Sequence, residues 1–339
     1  MRRLHLTTFC ACLASLLAAA QASASTLIAT SQNGFSNTVY RFDLGATGTP
    51  TSSTFSTGHS PGGAAFAPNG DLFIANFENQ GVFGDIYHYT TPLGTPALKE
   101  TISGSIFPTG VVFRGSELLV IDAGANQIQR YTFNGSNLAV TGTPITETGG
   151  DLRMGAFSPS GDLYVSHTGN KIDRFTFDAG GVATLASTIT GNGLSVPHGL
   201  AFSPWGELFV AGEGNSTIDR LTLNASGAVT AFSTFSGNGL TNPVGLAFSS
   251  WGELFVGNQG TNGISRFTFD ASHVVSPNGS FAVGTSFNGI TFAADAAPVP
   301  EPAGLLLAVA SLASVATRRA RAHVRIASIG LSRAARHAG

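Results

Sequence analysis

The chain has 339 residues, 42% of them hydrophobic, which is enough apolar surface to bury a large core and excludes global disorder. Its 43 glycines, 25 phenylalanines and low charged fraction of 11% exclude a helix-rich body, because Gly-punctuated segments rich in Phe, Ser and Thr favour strands and turns. Arg2 and Arg3 open the chain and six further arginines follow Thr317, whereas all 19 acidic residues lie between Asp43 and Glu301; the acidic body between argues against a nucleic-acid partner, whose phosphates it repels, and suits a cation or a neutral glycan.

Residues 1–24 form a separate object. Two arginines, an apolar run over residues 13–20 and the small residues Ala22 and Ala24 are the order of a secretory signal peptide, a helix that belongs outside the fold. Cys10 and Cys12 leave with it, so the mature chain is expected to carry no disulfide and no thiol ligand. Neither cysteine follows a lipoprotein box.

From Thr26 onwards the chain repeats. The stretches "TLIATSQN", "TVYRFDL" and "TSSTFST" read as the second, third and fourth strands of a unit whose first strand is missing. An anchor phenylalanine then recurs at Phe66, Phe113, Phe157, Phe202, Phe248 and Phe292, roughly every 45 residues, which is the signature of a repeat architecture. Each unit has a strand ending at the anchor, a tight turn ("APNGD", "SPSGD", "SPWGE"), a second strand ("LFIAN", "LYVSH", "LFVAG", "LFVGN") and a variable loop. A third strand ("QIQRYTF", "KIDRFTF", "TIDRLTL", "GISRFTF") and a Thr/Ser/Ala-rich fourth follow. Four strands per repeat make a propeller blade, because one such sheet cannot cover its own apolar faces whereas a ring of them can. After "FNGITF" the last unit stops with its first strand alone. The expected fold is therefore all-β: a six-bladed β-propeller of four-stranded blades over residues 25–297, closed by a C-terminal strand that completes the N-terminal blade and removes the free edges.

The repeats "PHGLAFSPWGELFV" and "PVGLAFSSWGELFV" resemble the six-bladed propellers of the NHL-repeat and gluconolactonase-like superfamily over residues 25–297. The resemblance implies the fold and leaves function open, since that group holds scaffolds, lactonases and lyases.

In a propeller, second-strand ends and first-strand starts gather at one mouth of the central channel. The second strands end at Thr30, Asn76, Asp122, His167, Gly212 and Asn258; four residues before each anchor stand Gly62, Thr109, Arg153, His198, Val244 and Asn288. Asn76, Asp122, Arg153, His167, His198, Asn258 and Asn288 are the candidate ligand-binding ring. The resemblance implies a divalent cation as cofactor, for which Asp122, His167 and His198 are the candidate donors. A ring with one carboxylate is poor in acid for that role, and Asn, Asp and His also end strands because their side chains satisfy turn backbone; the latter reading is favoured. No catalytic residue is assigned. "GHSPG" at residues 58–62 fits a nucleophile-elbow pattern, but Pro61 after the serine has no N–H to offer an oxyanion.

Trp205 and Trp251 stand in equivalent turns at the opposite mouth, where mutual or neighbouring packing is favoured over stacking on sugars. Arg41, Arg130, Arg174, Arg220 and Arg266 share one register of the third strand, with His88 in the remaining unit. Recurrence in nearly every copy predicts a structural role between blades rather than a local site.

From residue 298 the composition changes. Pro300, Glu301 and Pro302 precede an uncharged apolar stretch over residues 303–317, and Arg318, Arg319 and Arg321 close it. This order, over residues 298–321, resembles the PEP-CTERM sorting signal of Gram-negative bacteria. The resemblance implies a short transmembrane helix, transient anchoring in the inner membrane, recognition by an exosortase-type membrane protease, and delivery to the cell surface or an extracellular polysaccharide matrix. Residues 322–339 form a basic tail. Together these features predict an exported, surface-sorted propeller acting as a non-catalytic binding or extracellular-matrix module, in contact with polysaccharide or a surface protein. The alternative is a metal-dependent lactonase or lyase with its site at the channel mouth.

Overall fold

The computed structural model describes residues 25–293 except 34–35, 45–49, 58–59, 78–83, 147–149, 261–262 and 283. The signal segment (1–24), the sorting signal (298–321) and the basic tail (322–339) lie outside the described residues.

The body is a six-bladed β-propeller of antiparallel sheets, with no helix among the described residues. Blade 1 joins the two ends of the body: its strands, in spatial order, are Phe287–Phe292, Ser25–Asn33, Ser36–Leu44 and Thr51–Ser56. The closing register pairs Leu27 with Phe292, Ala29 with Ile290 and Thr30 with Gly289. Blade 2 holds Pro61–Phe66, Leu72–Asn76, Asp85–Thr90 and Ala97–Ser103, and blade 3 begins with Pro108–Arg114, Glu117–Asp122 and Gln127–Phe133. Blades 4, 5 and 6 run from Leu152–Phe157 to Ala183–Thr190, from Pro197–Phe202 to Val229–Phe235 and from Pro243–Phe248 to Val275–Phe281.

One blade departs from the expected pattern. The fourth strand of blade 3 is split into Leu138–Val140 and Ile145–Thr146, both paired with Gln127–Phe133. Gly142 has φ of +71° and Pro144 has no N–H, so the intervening residues cannot continue the ladder.

Each first strand faces the first strand of the next blade, so these six strands ring the axis. Their third residue is glycine in five blades: Gly63, Gly110, Gly199, Gly245 and Gly289. A Cβ on Gly199 would stand 2.0 Å from the Val244 carbonyl oxygen, and one on Gly289 2.6 Å from that of Gly62. The strands meet backbone to backbone, and only glycine permits that approach.

Farther from the axis the facing sheets bury apolar side chains. Phe73 of blade 2 sits among Val111, Leu118, Val120 and Phe133 of blade 3. Phe209 of blade 5 meets Leu246, Leu254 and Phe267 of blade 6, and Leu27, Phe42 and Phe287 of the closing blade cover Phe255. Burying a phenylalanine of this kind contributes about 1.5–3 kcal/mol, so the blade interfaces are where the ring is stabilised.

Candidate functional site

All six first strands shift register at their start, between Pro61 and Ala64, Pro108 and Gly110, Leu152 and Gly155, Pro197 and Leu200, Pro243 and Gly245, and Phe287 and Gly289. Such an irregularity re-aims side chains at a rim, and here it turns the residue before the glycine toward the channel. Gly62, Thr109, Arg153, His198 and Asn288 thereby line a cavity of about 130 Å³ together with Phe77, Phe107 and Gln259, with Met154 as its floor.

Met154 takes the place of the sixth glycine. Below it lies a second, smaller cavity lined by Gly63, Gly199, Gly245 and Gly289 with Leu200, Leu246 and Ile290. The methionine side chain divides the channel into the mouth that holds Arg153 and a lower chamber walled by glycine backbone and aliphatic side chains.

Arg153 is half-buried, and its Nε has no hydrogen-bond partner. It is the one arginine among the described residues with no carboxylate in reach; Arg41, Arg114, Arg130, Arg174, Arg220 and Arg266 are all paired. His198 beside it is buried, and its Nδ1 also lacks a partner. Burial and the Arg153 charge push the imidazole down to about 3, against a hydrogen bond to the Val244 carbonyl, so the ring is neutral at any ordinary pH. Asn288 donates through Nδ2 to the Pro61 carbonyl at 3.1 Å and its Oδ1 accepts from Gln259 Nε2 at 3.4 Å. Thr109 Oγ1 donates to the carbonyl of Arg153 at 2.5 Å, tying blade 3 to blade 4 beneath the guanidinium.

The second-strand ends occupy a different layer. Asp122 accepts from the backbone N–H of Ile106 and Phe107, each at 2.9 Å, from that of Ala125 at 3.1 Å and from Gln129 Nε2 at 3.0 Å. His167 Nδ1 lies 3.1 Å from the Gly150 carbonyl, and its Nε2 is 2.9 Å from Asp173 Oδ2, an ion-pair contact off the line of a hydrogen bond. Asn258 accepts from the Thr241 N–H at 3.0 Å and donates to the Gly263 carbonyl at 3.0 Å and to Ser265 Oγ at 3.1 Å. Asn76 Nδ2 donates to the Ile74 carbonyl at 3.2 Å. Asp122, His167 and Asn258 hold loops, whereas Asn76 bonds only within its own strand and its Oδ1 has no partner; none of the four lines the cavity, because they stand one strand farther from the axis. Of the candidate ring, the structure gathers Arg153, His198 and Asn288.

Asp122, His167 and His198 do not form a shared set of donors, and no group of three His, Cys, Asp or Glu side chains among the described residues could hold a metal ion. The donor set does not fit the divalent cation that the family resemblance implies.

The opposite face is built for cohesion. Trp205 stacks on His273 at 4.3 Å and lies edge-on to Phe248 and Phe269, while Trp251, half-exposed, lies edge-on to Phe255 and Phe292. Four third-strand arginines pair with the acid of the first turn in their own blade: Arg130 with Glu117, Arg174 with Asp162, Arg220 with Glu207 and Arg266 with Glu253. Arg174 and Arg220 also donate to the carbonyls of Ser226 and His273 in the next blade. Arg41, whose blade has no such turn because the chain ends meet there, pairs with Asp43 and reaches the Leu93 carbonyl. His88 takes the arginine's place in blade 2, between Asp71 and Glu100 at 2.9 Å each.

Phe77, Phe107, Gln259 and Met154 line the mouth without having been marked by the repeat. For Met154 a signal exists: "LRMGAF" is the one first strand with no glycine at its third position. The two phenylalanines sit in loops, where the repeat has no register to assign them.

No family model and no curated protein matches the chain. Solved structures do. The periplasmic gluconolactonase of Pseudomonas aeruginosa superposes with a TM-score of 0.58 at 19% identity, covering 81% of this chain and 100% of that one. A chain of a nidogen/laminin complex gives 0.61 at 17% identity over 80% and 100%, and a catalytically inactive virginiamycin B lyase of Staphylococcus aureus, solved with quinupristin, gives 0.51 at 15% over 81% and 94%. At these identities the likeness is one of fold: the chain is a six-bladed β-propeller.

Proposed function

We propose that this protein is an exported, surface-sorted binding module whose ligand enters the channel mouth. The observation that carries the reading is Arg153, which lines the cavity as its one cation and, alone among the arginines of the described residues, has no carboxylate in reach. A cation that the protein leaves without a carboxylate at a cavity wall is available to a ligand's anionic group. Export rests on the order of residues 1–24 and surface sorting on residues 298–321. Mass spectrometry of the protein recovered from the cell surface is expected to find an N-terminus near residue 25 and a C-terminus near Pro300; a surface protein retaining both ends overturns the sorting part.

A second reading, lactone hydrolysis at the same mouth, draws on Arg153. A guanidinium at a cavity wall is a group able to stabilise an oxyanion, and the periplasmic gluconolactonase of Pseudomonas aeruginosa shares the fold. The binding reading predicts no turnover of aldonolactones by the purified protein. Turnover that is lost in Arg153→Gln would replace it by the hydrolytic one.

A further inference from the structure

Resting on the binding reading, we infer that the mouth recognises a hexuronate unit, with Arg153 holding the ring carboxylate and Phe77 and Phe107 walling the sugar.

The charge of the site selects an anion. The cavity lining contains one cation and no acid: Arg153 stands with Gly62, Thr109, Met154, His198, Gln259 and Asn288 and the two phenylalanines. The histidine is neutral, so the local charge is +1 inside a body that is otherwise acidic. A monoanion balances that charge, whereas a phosphate dianion would be left with an excess that the surrounding carboxylates repel. A guanidinium presents parallel donors that match the two oxygens of a carboxylate, and Arg153 spends none of them on a carboxylate of the protein.

The remaining groups select a ring bearing hydroxyls. The amides of Gln259 and Asn288 line the cavity beside His198, with Gln259 Nε2 3.4 Å from Asn288 Oδ1. Phe77 and Phe107 close the other side with centroids 5.2 Å apart and planes tilted by 43°, and Phe107 is 37% exposed at the rim. An aromatic wall opposite polar groups suits the apolar C–H face of a pyranose. A cavity of about 130 Å³, where one water needs roughly 10–15 Å³ by the same measure, admits one sugar ring and no longer segment. The unit bound is therefore a free hexuronic acid or the end residue of an acidic glycan.

Calorimetric titration of the purified full-length protein tests this with D-glucuronate, a short oligouronide, the methyl ester of glucuronate and glucose. Binding of the acid or the oligomer, weakened about tenfold or more in the ester, in glucose and in Arg153→Gln at unchanged melting temperature, is the expected result. Arg153→Lys, which keeps the charge but loses the fork, should fall between. Equal binding of ester and acid, or undiminished binding by Arg153→Gln, overturns the carboxylate assignment and leaves a binding module for neutral sugars. Failure of all four probes to bind at millimolar concentration overturns this inference, while binding of another surface glycan would keep the broader reading and loss of that too would remove both.

Discussion

Met154 Sδ reaches across the channel to 3.1 Å from where a Cβ would stand on Gly63, and equally close to Gly110. The side chain fills the axial space that glycine leaves empty in the other five first strands. It separates the mouth from the glycine-walled chamber below. Met154→Ala is expected to merge the two cavities and to cost about 1–3 kcal/mol, less than a fully buried methionine because the residue is only partly buried. A denaturant midpoint measures the loss, and mouth affinity for a small ligand should weaken as the floor disappears.

The glycine ring predicts an ordering of substitutions. In Gly199→Ala the new methyl would meet the Val244 carbonyl at 2.0 Å, and backbone on both sides leaves nothing able to yield. A loss above about 3 kcal/mol is expected. In Gly70→Ala the turn has φ of +88° but nothing lies within 4 Å, so only the left-handed conformation is penalised, at about 1–2 kcal/mol. Equal losses in urea unfolding would contradict the backbone contact at the axis.

Asp173 and Asp219 occupy one register in adjacent blades and are expected to respond to pH in opposite ways. Asp219 is buried with Oδ2 unpartnered, and burial pushes it up to about 6 from an ordinary 3.8, against hydrogen bonds from Thr234 and Thr217. Its folded state holds the proton more tightly than the unfolded chain, so stability falls as pH rises from about 4 to about 6 and stays lower above. Asp219→Asn should remove this slope and raise the urea midpoint at pH 7.5. Burial alone would raise Asp173 too, but His167, Lys171 at 2.7 Å and Thr188 at 2.5 Å hold it below the usual carboxylate range. Its contribution is complete above its unfolded value and lost as pH falls through the acid range. Asp173→Asn should cost about 2–4 kcal/mol at pH 7.5 by stranding Lys171 and His167.

Arg220 links blade 5 to blade 6. Its guanidinium pairs with Glu207 at 2.6 Å and donates to the His273 carbonyl at 2.7 Å. Burial would raise the Glu207 carboxyl, but Arg220, Trp205 and Thr222 hold it lowered. Arg220→Ala should cost about 1–3 kcal/mol, and a shift in tryptophan emission from Trp205, bonded to the same carboxylate, should report it. Ligand affinity at the other mouth should not change.

Phe287 begins the closing strand, buried edge-on to Tyr40 at 5.4 Å and Phe42 at 6.1 Å. Phe287→Ala removes the contact that holds the last strand in the first blade, at about 3–5 kcal/mol. Limited proteolysis should then release the C-terminal strand before the other blades are cut; uniform digestion would contradict a ring clasped at this blade.

The blade count and the clasp were legible in the sequence because anchor phenylalanines and Gly-Asp or Gly-Glu turns report backbone geometry that each repeat needs for itself. The expected inter-blade role holds for Arg41, Arg174 and Arg220, which reach carbonyls of the next blade, whereas Arg130, Arg266 and His88 take their carboxylate partners within their own blades. The mouth was legible only in part. Periodicity lists every polar side chain near the rim, and it cannot say that Asp122 and Asn258 turn to loop N–H groups whereas Arg153 and His198 face the axis.

That division has a physical cause. Strand, turn and repeat are set by interactions within a few residues or with the next copy, so the sequence alone determined six blades closed by a shared first sheet. Which groups converge on the channel depends on a register shift at the start of the first strands and on loops from different blades meeting at one point. Phe77, Phe107, Gln259 and the unpaired Arg153 became one site only when the ring was closed.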